Sequence, residues 1–211
     1  MLQQIQLDYT GKKIFQCIHK FYRDYGRSAS RREIMKEEGI SSSSRLQTEL
    51  EKIQEKGWIK LLGNVDYDIR LCGVPLLGRI SAGRPIENFA EPNQWLEVEP
   101  KYIDTYNYAL LVRGESMIED GIVDGDYIVV RSQDTCQNGE IVVAAHVVNP
   151  FEATLKRFFQ EGDRVRLQST YNREVEHEYT RIIKGKEWDN DWRIQGIAIK
   201  VHRDYVGKKR R

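Results

Sequence analysis

The sequence predicts an α+β protein of two domains. A winged helix-turn-helix occupies residues 1–72, a mostly antiparallel β domain residues 73–206, and a basic tail residues 207–211. Three observations predict this. Apolar residues recur at helical spacing up to about residue 56, but after Cys72 they form short alternating or continuous runs separated by Gly, Asn and Asp. Charge divides at the same place: residues 1–73 hold 13 Lys and Arg against 10 Asp and Glu, and residues 74–205 hold 16 against 22. Finally, 211 residues with 40% hydrophobic content suffice for one large domain or two small ones, and exclude collagen, coiled coil and disorder.

In chain order, Ile14, Ile18, Phe21, Tyr22 and Tyr25 mark one face of a helix that Thr10 would cap and Gly26 would end. A second helix opens at Ser30, where Ser30-Arg31-Arg32-Glu33 has the form of a capping box, and stops at Gly39. The third runs from about Ser42 to Lys56, with Leu46, Leu50 and Ile53 facing inward. Two β-type runs, Trp58 to Leu62 and Tyr67 to Leu71, then flank a turn at Gly63-Asn64 and read as a hairpin.

Two short helices joined by a Gly-containing turn, with one helix before and a hairpin after, describe a winged helix-turn-helix whose third helix reads DNA. Its N-terminal end offers Ser41, Ser42, Ser43, Ser44, Arg45, Gln47 and Thr48. Hydroxyls and unpaired N–H groups there suit phosphate, Arg45 suits guanine and Gln47 suits adenine. The residues alone equally describe a small helical domain whose third helix begins in a polar loop. A head of such modest positive charge binds DNA weakly by itself, so binding as a homodimer to a double-stranded operator is expected.

Beyond Leu71–Val74 the strands are Leu76 to Ile80, Tyr108 to Arg113, Tyr127 to Arg131, Glu140 to Ala145, Ala153 to Phe159, Arg164 to Leu167 and Trp192 to Val201. Turn signals at Gly121, Asp124-Gly125-Asp126, Asn138-Gly139, Asn149-Pro150 and Glu161-Gly162-Asp163 separate them. No apolar run approaches a membrane span and the N-terminus has no leader pattern, so a soluble cytoplasmic protein is expected. Cys17, Cys72 and Cys136 are odd in number and widely spaced, and His19, His146, His177 and His202 lack metal-ligand spacing; no metal, disulfide framework or small-molecule cofactor is expected.

Four motifs follow in order: Gly78-Arg79-Ile80-Ser81-Ala82-Gly83, Val112-Arg113-Gly114-Glu115-Ser116-Met117, Gly121-Ile122-Val123-Asp124-Gly125-Asp126, and Thr154-Leu155-Lys156-Arg157. In that order and spacing, behind such a head, the chain resembles the LexA family of self-cleaving repressors, whose carboxyl domain is a Ser–Lys peptidase shared with phage repressors and UmuD-type proteins. The resemblance covers nearly the whole chain and implies a repressor of DNA-damage genes. It implies that Ser116 is the nucleophile, that Lys156 is its general base, and that the backbone N–H groups of Glu115 and Ser116 receive the oxyanion. The substrate would be the protein's own Ala82–Gly83 bond, with the RecA filament on single-stranded DNA favouring the docked cleavage loop. The chemistry requires an uncharged lysine, hence burial; Thr154 and Phe158 share its strand face, and Phe158 would supply part of that burial. A long connection at Val147 to Phe151 and a charged insertion at Lys184 to Asp191 depart from the family pattern.

Each motif alone has a plainer meaning. Ala82-Gly83 before Arg84-Pro85 reads as a turn, Ser116-Met117 as a helix cap, and Lys156 as a lysine that reaches water. Their joint order favours the peptidase. The rival functions are a prophage repressor, a DNA-binding regulator that senses a ligand without cutting, and a trans-acting peptidase of the signal-peptidase type, to which the absent membrane anchor is an objection.

Overall fold

A computed structural model describes residues 6–63, 68–80, 94–148, 153–171 and 180–204 in full, and residues 81 and 84–88 by their backbone. Its first helix, α1 (Tyr9–Tyr25), is capped by Asp8, whose carboxylate accepts from the Gly11 N–H at 2.7 Å. Thr10, the cap expected from sequence, already lies within the first turn, too late for its side chain to reach the leading N–H groups. The inward face carries Ile14, Phe15, Cys17, Ile18 and Phe21, while Tyr25, expected on that face, is 65% exposed in the last turn.

Helix α2 (Arg31–Glu38) starts with the expected capping box, Ser30 accepting from the Glu33 N–H and Glu33 accepting from the Ser30 N–H. Helix α3 (Ser43–Glu55) is capped by Ser42 and buries Leu46, Leu50 and Ile53. The hairpin is β1 (Ile59–Leu61) paired antiparallel with β2 (Ile69–Leu71), in the register Ile59↔Leu71 and Leu61↔Ile69. Ile14, Ile18, Ile34, Leu46, Leu50, Ile53 and Trp58 form the core of this head, each contributing about 1.5–3 kcal/mol by leaving water.

The chain divides into two compact units, Met1–Leu76 with Glu91–Asn107 and Leu77–Ala90 with Tyr108–Arg211. The remaining strands are β3 (Val74–Ser81), β4 (Arg84–Asn88), β5 (Trp95–Leu96), β6 (Asn107–Arg113), β7 (Tyr127–Arg131), β8 (Ile141–His146), β9 (Ala153–Glu161), β10 (Arg164–Gln168), β11 (Arg181–Lys184) and β12 (Trp192–His202). Their order in the sheet is β11-β10-β9-β8-β12-β7-β6-β3-β4, with β5 pairing β3 off that path, and every pairing whose register is described is antiparallel. The second unit curls back on itself, because β4 ends the order yet lies beside β9. The charged insertion proves to be a short helix, α4 (Gly185–Asp191), whose Trp188 rests on Phe158 in a cluster with Val142, Val165, Leu167, Ile183 and Trp192.

Candidate active site and DNA-reading helix

Strand β6 ends at Arg113, and Gly114 turns the chain with φ +88°, a left-handed backbone that a side chain would strain. The Gly114 N–H donates to Asp124 Oδ1 at 2.8 Å, which fixes the turn. Two residues on, the Ser116 carbonyl accepts from the Thr170 N–H at 2.9 Å and from Ser169 Oγ at 2.7 Å. Met117 is buried beneath, and a short 3-10 turn over Ile118–Asp120 follows. The serine is thus pinned by its own backbone, which leaves its half-buried side chain to be aimed.

Lys156 lies on β9 between β8 and β10, opposite Val142, and is 3% exposed. Its Nζ lies 2.8 Å from Ser116 Oγ and donates to the Leu155 carbonyl at 2.9 Å. Burial pushes the ammonium pKa down from the ordinary lysine value to about 8, because taking a charge out of water disfavours the protonated form. A neutral amine here has one N–H for the Leu155 carbonyl and a lone pair for the serine proton. The two side chains lie 40 residues apart in sequence and are brought into hydrogen-bond contact, as a nucleophile and its base require.

Three supports around the pair have no role that the sequence assigns. Arg157 forms an ion pair with Asp120 and donates to the Gly139 carbonyl. Thr170 Oγ1 donates to the other Asp120 oxygen at 2.9 Å. Asp126 is buried and accepts from the Val123 N–H at 2.8 Å and from Arg203 Nη2 at 2.7 Å. Burial alone would raise the Asp126 pKa, but the Arg203 hydrogen bond, the Val123 N–H and the Arg203 charge together hold it below the ordinary carboxylate value. The Asp124-Gly125-Asp126 stretch reads in the sequence as a turn and as part of the third family motif, with no role for its carboxylates, yet both carboxylates fix the loop that carries Ser116.

Ala82 and Gly83 lie outside the described residues. The strands on either side of them pair Ser81 with Arg84, and β4 lies beside β9, the strand of Lys156. Glu115 is exposed next to Ser116. At the start of α3 and just before it, Ser41, Ser43, Ser44, Arg45 and Thr48 are exposed and Ser42 and Gln47 half-buried. Ser42 accepts from the Arg45 N–H at 3.3 Å as the cap, Thr48 Oγ1 donates to the Ser44 carbonyl at 3.1 Å, and Gln47 donates to Glu51 at 2.9 Å.

Comparison with known families matches residues 6–64 to the LexA DNA binding domain and residues 75–199 to the Peptidase S24-like family. The chain is 38% identical over 159 residues to the LexA repressor of Alkaliphilus oremlandii, covering 68% of this chain and 76% of that one. It is 37% identical to that of Shouchella clausii over 175 residues, and 36% identical to that of Brevibacillus brevis over 171. Both alignments cover 74% of this chain, with 83% and 82% of the relatives. The chain belongs to the LexA repressor family. Like LexA, it is a DNA-binding transcriptional repressor of the SOS response, and its second domain is a self-cleaving serine peptidase of the Ser–Lys type. Among the described residues no helix is long and apolar enough to cross a membrane.

Proposed function

We propose that Ser116 and Lys156 are the catalytic pair of this LexA-family peptidase and that the Ala82–Gly83 bond is what they cut. The carrying observation is the 2.8 Å approach of a buried Lys156 amine to Ser116 Oγ. As Ser116 Oγ bonds to the carbonyl carbon of residue 82, its proton passes to Lys156 Nζ. The backbone N–H groups of Glu115 and Ser116 receive the oxyanion. Collapse breaks the C–N bond, and the Lys156 ammonium gives its proton to the departing amine of residue 83. Water, deprotonated by the same lysine, then hydrolyses the ester and restores the serine.

The position of β4 beside β9 supports delivery of the 82–83 peptide to this pair, since the strand leaving that peptide runs along the strand of the base. In this reading the repressor binds a double-stranded operator as a homodimer through Ser41, Ser42, Ser43, Ser44, Arg45, Gln47 and Thr48. Cutting breaks the covalent link between the head and the dimerising domain, and once the head departs the avidity that held it on DNA is lost. A RecA filament on single-stranded DNA acts as co-protease by binding the docked cleavage loop better than the undocked one. The protein works in the cytoplasm, where its operator is.

Incubating the purified chain at about pH 10, above the lowered Lys156 pKa of about 8 so that its amine is largely neutral, tests the reading. The expected products are residues 1–82 and 83–211, formed at a rate independent of protein concentration, with none from Ser116→Ala or Lys156→Ala. A rate that rises with concentration would assign the chemistry to cleavage in trans, and an intact chain would remove it from this pair.

A further inference from the structure

The two compact units exchange segments around the proposed cut. Residues 91–107 belong to the unit built on the head, and residues 77–90 to the unit built on the sheet. A break between residues 82 and 83 therefore does not sort the pieces by unit. The fragment 1–82 keeps the later half of β3 inside the sheet unit, where Leu77 and Ile80 are buried. The fragment 83–211 keeps residues 91–107 inside the head unit.

The second of these attachments is a built interface. Strand β5 pairs antiparallel with the start of β3, in the register Val74↔Leu96 and Pro75↔Trp95, and the Leu76 N–H donates to the Gln94 carbonyl at 2.9 Å. Val74 and Leu96 are both buried. The Trp95 ring meets the buried Trp58 ring edge-on, with centroids 4.9 Å apart. Gly73 has φ +118°, and a Cβ there would sit 2.0 Å from the Leu96 carbonyl oxygen, so the strand approaches closely because this position has no side chain. Farther on, His19 Nε2 lies 2.6 Å from the Pro100 carbonyl, and Arg70 pairs with Glu97 at 2.9 Å. Backbone pairing with an aromatic anchor is the pattern by which a free strand binds a protein edge with specificity.

We propose that self-cleavage yields a nicked but non-covalently joined repressor, and that residues 91–107 are the latch whose departure from the head completes inactivation. The proposal rests on the cut falling between residues 82 and 83. Before the cut the chain tethers the latch to its site at high effective concentration. Afterwards the same contacts act between two polypeptides and can be lost by dilution. The lifetime of the latch, and not hydrolysis alone, then sets the delay between bond breakage and loss of DNA binding.

The test is to let the full chain cleave at raised pH, follow it on a denaturing gel, and pass the finished reaction through a size-exclusion column with light scattering in neutral buffer. Two bands that co-elute at the mass of the uncut protein, and separate on serial dilution, are expected. Trp95→Ala, remote from Ser116 and Lys156 in the sequence and outside the proposed chemistry, should cleave at an unchanged rate and shorten the lifetime of the nicked complex at least tenfold. Two bands that elute apart at once from the wild type overturn the latch and leave the cleavage reading intact. An uncut chain, or fragments with another junction, overturns the cleavage reading instead. A Trp95→Ala complex as long-lived as the wild type overturns the assignment of the latch to this segment, and Glu97→Lys with Leu96→Asp repeats that arm should Trp95→Ala fail to fold.

Discussion

Arg157, the residue after Lys156, forms an ion pair with Asp120 in the turn after Ser116. The strand of the proposed base therefore grips the loop of the proposed nucleophile, while Thr170 holds both the Asp120 carboxylate and the Ser116 carbonyl. Among the described hydrogen bonds, neither Arg157 nor Asp120 meets Ser116 Oγ or Lys156 Nζ, so the pair acts through geometry. Asp120→Asn should lower the cleavage rate by about tenfold, since a small misplacement of reacting groups costs one to two orders of magnitude. The midpoint of the pH–rate profile should stay where it is. Gel quantification across pH separates the two effects, and a shifted midpoint would mean that Asp120 tunes the lysine.

The pH dependence of cleavage follows from Lys156 itself. Burial pushes its pKa to about 8, and only the uncharged amine can accept the serine proton. Below that point the rate should rise about tenfold per pH unit, as the neutral fraction does, and it should level off above it. Lys156→Arg should be inactive at every pH, because a guanidinium does not deprotonate in the accessible range. A first-order rate series from acid to alkaline buffer checks both.

The same burial costs stability, and the sign is fixed by the direction of the shift. The lysine pKa falls from 10.5 unfolded to about 8 folded, so between these values the unfolded chain binds more protons and stability rises with pH. Below about pH 8 the folded protein bears the whole cost of a buried ammonium. Lys156→Met should accordingly stabilise the peptidase domain at neutral pH by up to about 3 kcal/mol, the free energy of such a shift, with the gain vanishing above the unfolded pKa. Urea unfolding of the variant and wild type at neutral and alkaline pH measures the difference.

What the sequence made legible was what has a period or a local chemical signature. Helical spacing marked α1 and α3, and the Ser30–Glu33 box that marked α2 is formed as its residues suggest. The cap of α1 was misplaced because Asp8 and Thr10 are both capping types, and only the geometry shows which reaches Gly11. Strands β4, β5 and β11 gave no signal: two to five residues are too few for alternation, and Arg84-Pro85 has the composition of a turn. Helix α4 was hidden by its polarity, since only Trp188 faces the core cluster. At the site, Ser116 and Lys156 came from the family resemblance. Ser169 and Thr170 were invisible because the group they hold at Ser116 is a backbone carbonyl, which any residue supplies.

On the reading helix, stability and DNA contact should separate cleanly. Ser42 accepts from the Arg45 N–H as the cap, so Ser42→Ala should cost about 1 kcal/mol of stability, the usual worth of such a cap. The Arg45 side chain is exposed, so Arg45→Ala should leave the melting temperature within a degree or so while weakening operator binding by about 1–3 kcal/mol. Calorimetry and gel-shift titration at one salt concentration read the two quantities independently.

The hairpin that follows this helix is held by a different device. Asp68, at the foot of β2, has a side chain only 3% exposed and takes both Arg31 guanidinium donors, Nη2 at 3.1 Å, while Arg31 opens α2. The ion pair thus ties the wing to the helix that precedes the reading helix. Removing one partner of such a pair strands the other charge without water, which costs about 3–5 kcal/mol, whereas replacing both by apolar groups is close to neutral. Arg31→Ala should therefore destabilise the head strongly and weaken operator binding, because the wing loses its anchor. Arg31→Met combined with Asp68→Leu should recover most of the stability. If it also recovers DNA binding, packing alone orients the wing; if binding stays weak in a stable head, the bidentate geometry of Arg31 on Asp68 sets the wing's angle. Denaturation and operator titration of the two variants, run in parallel, decide between these outcomes.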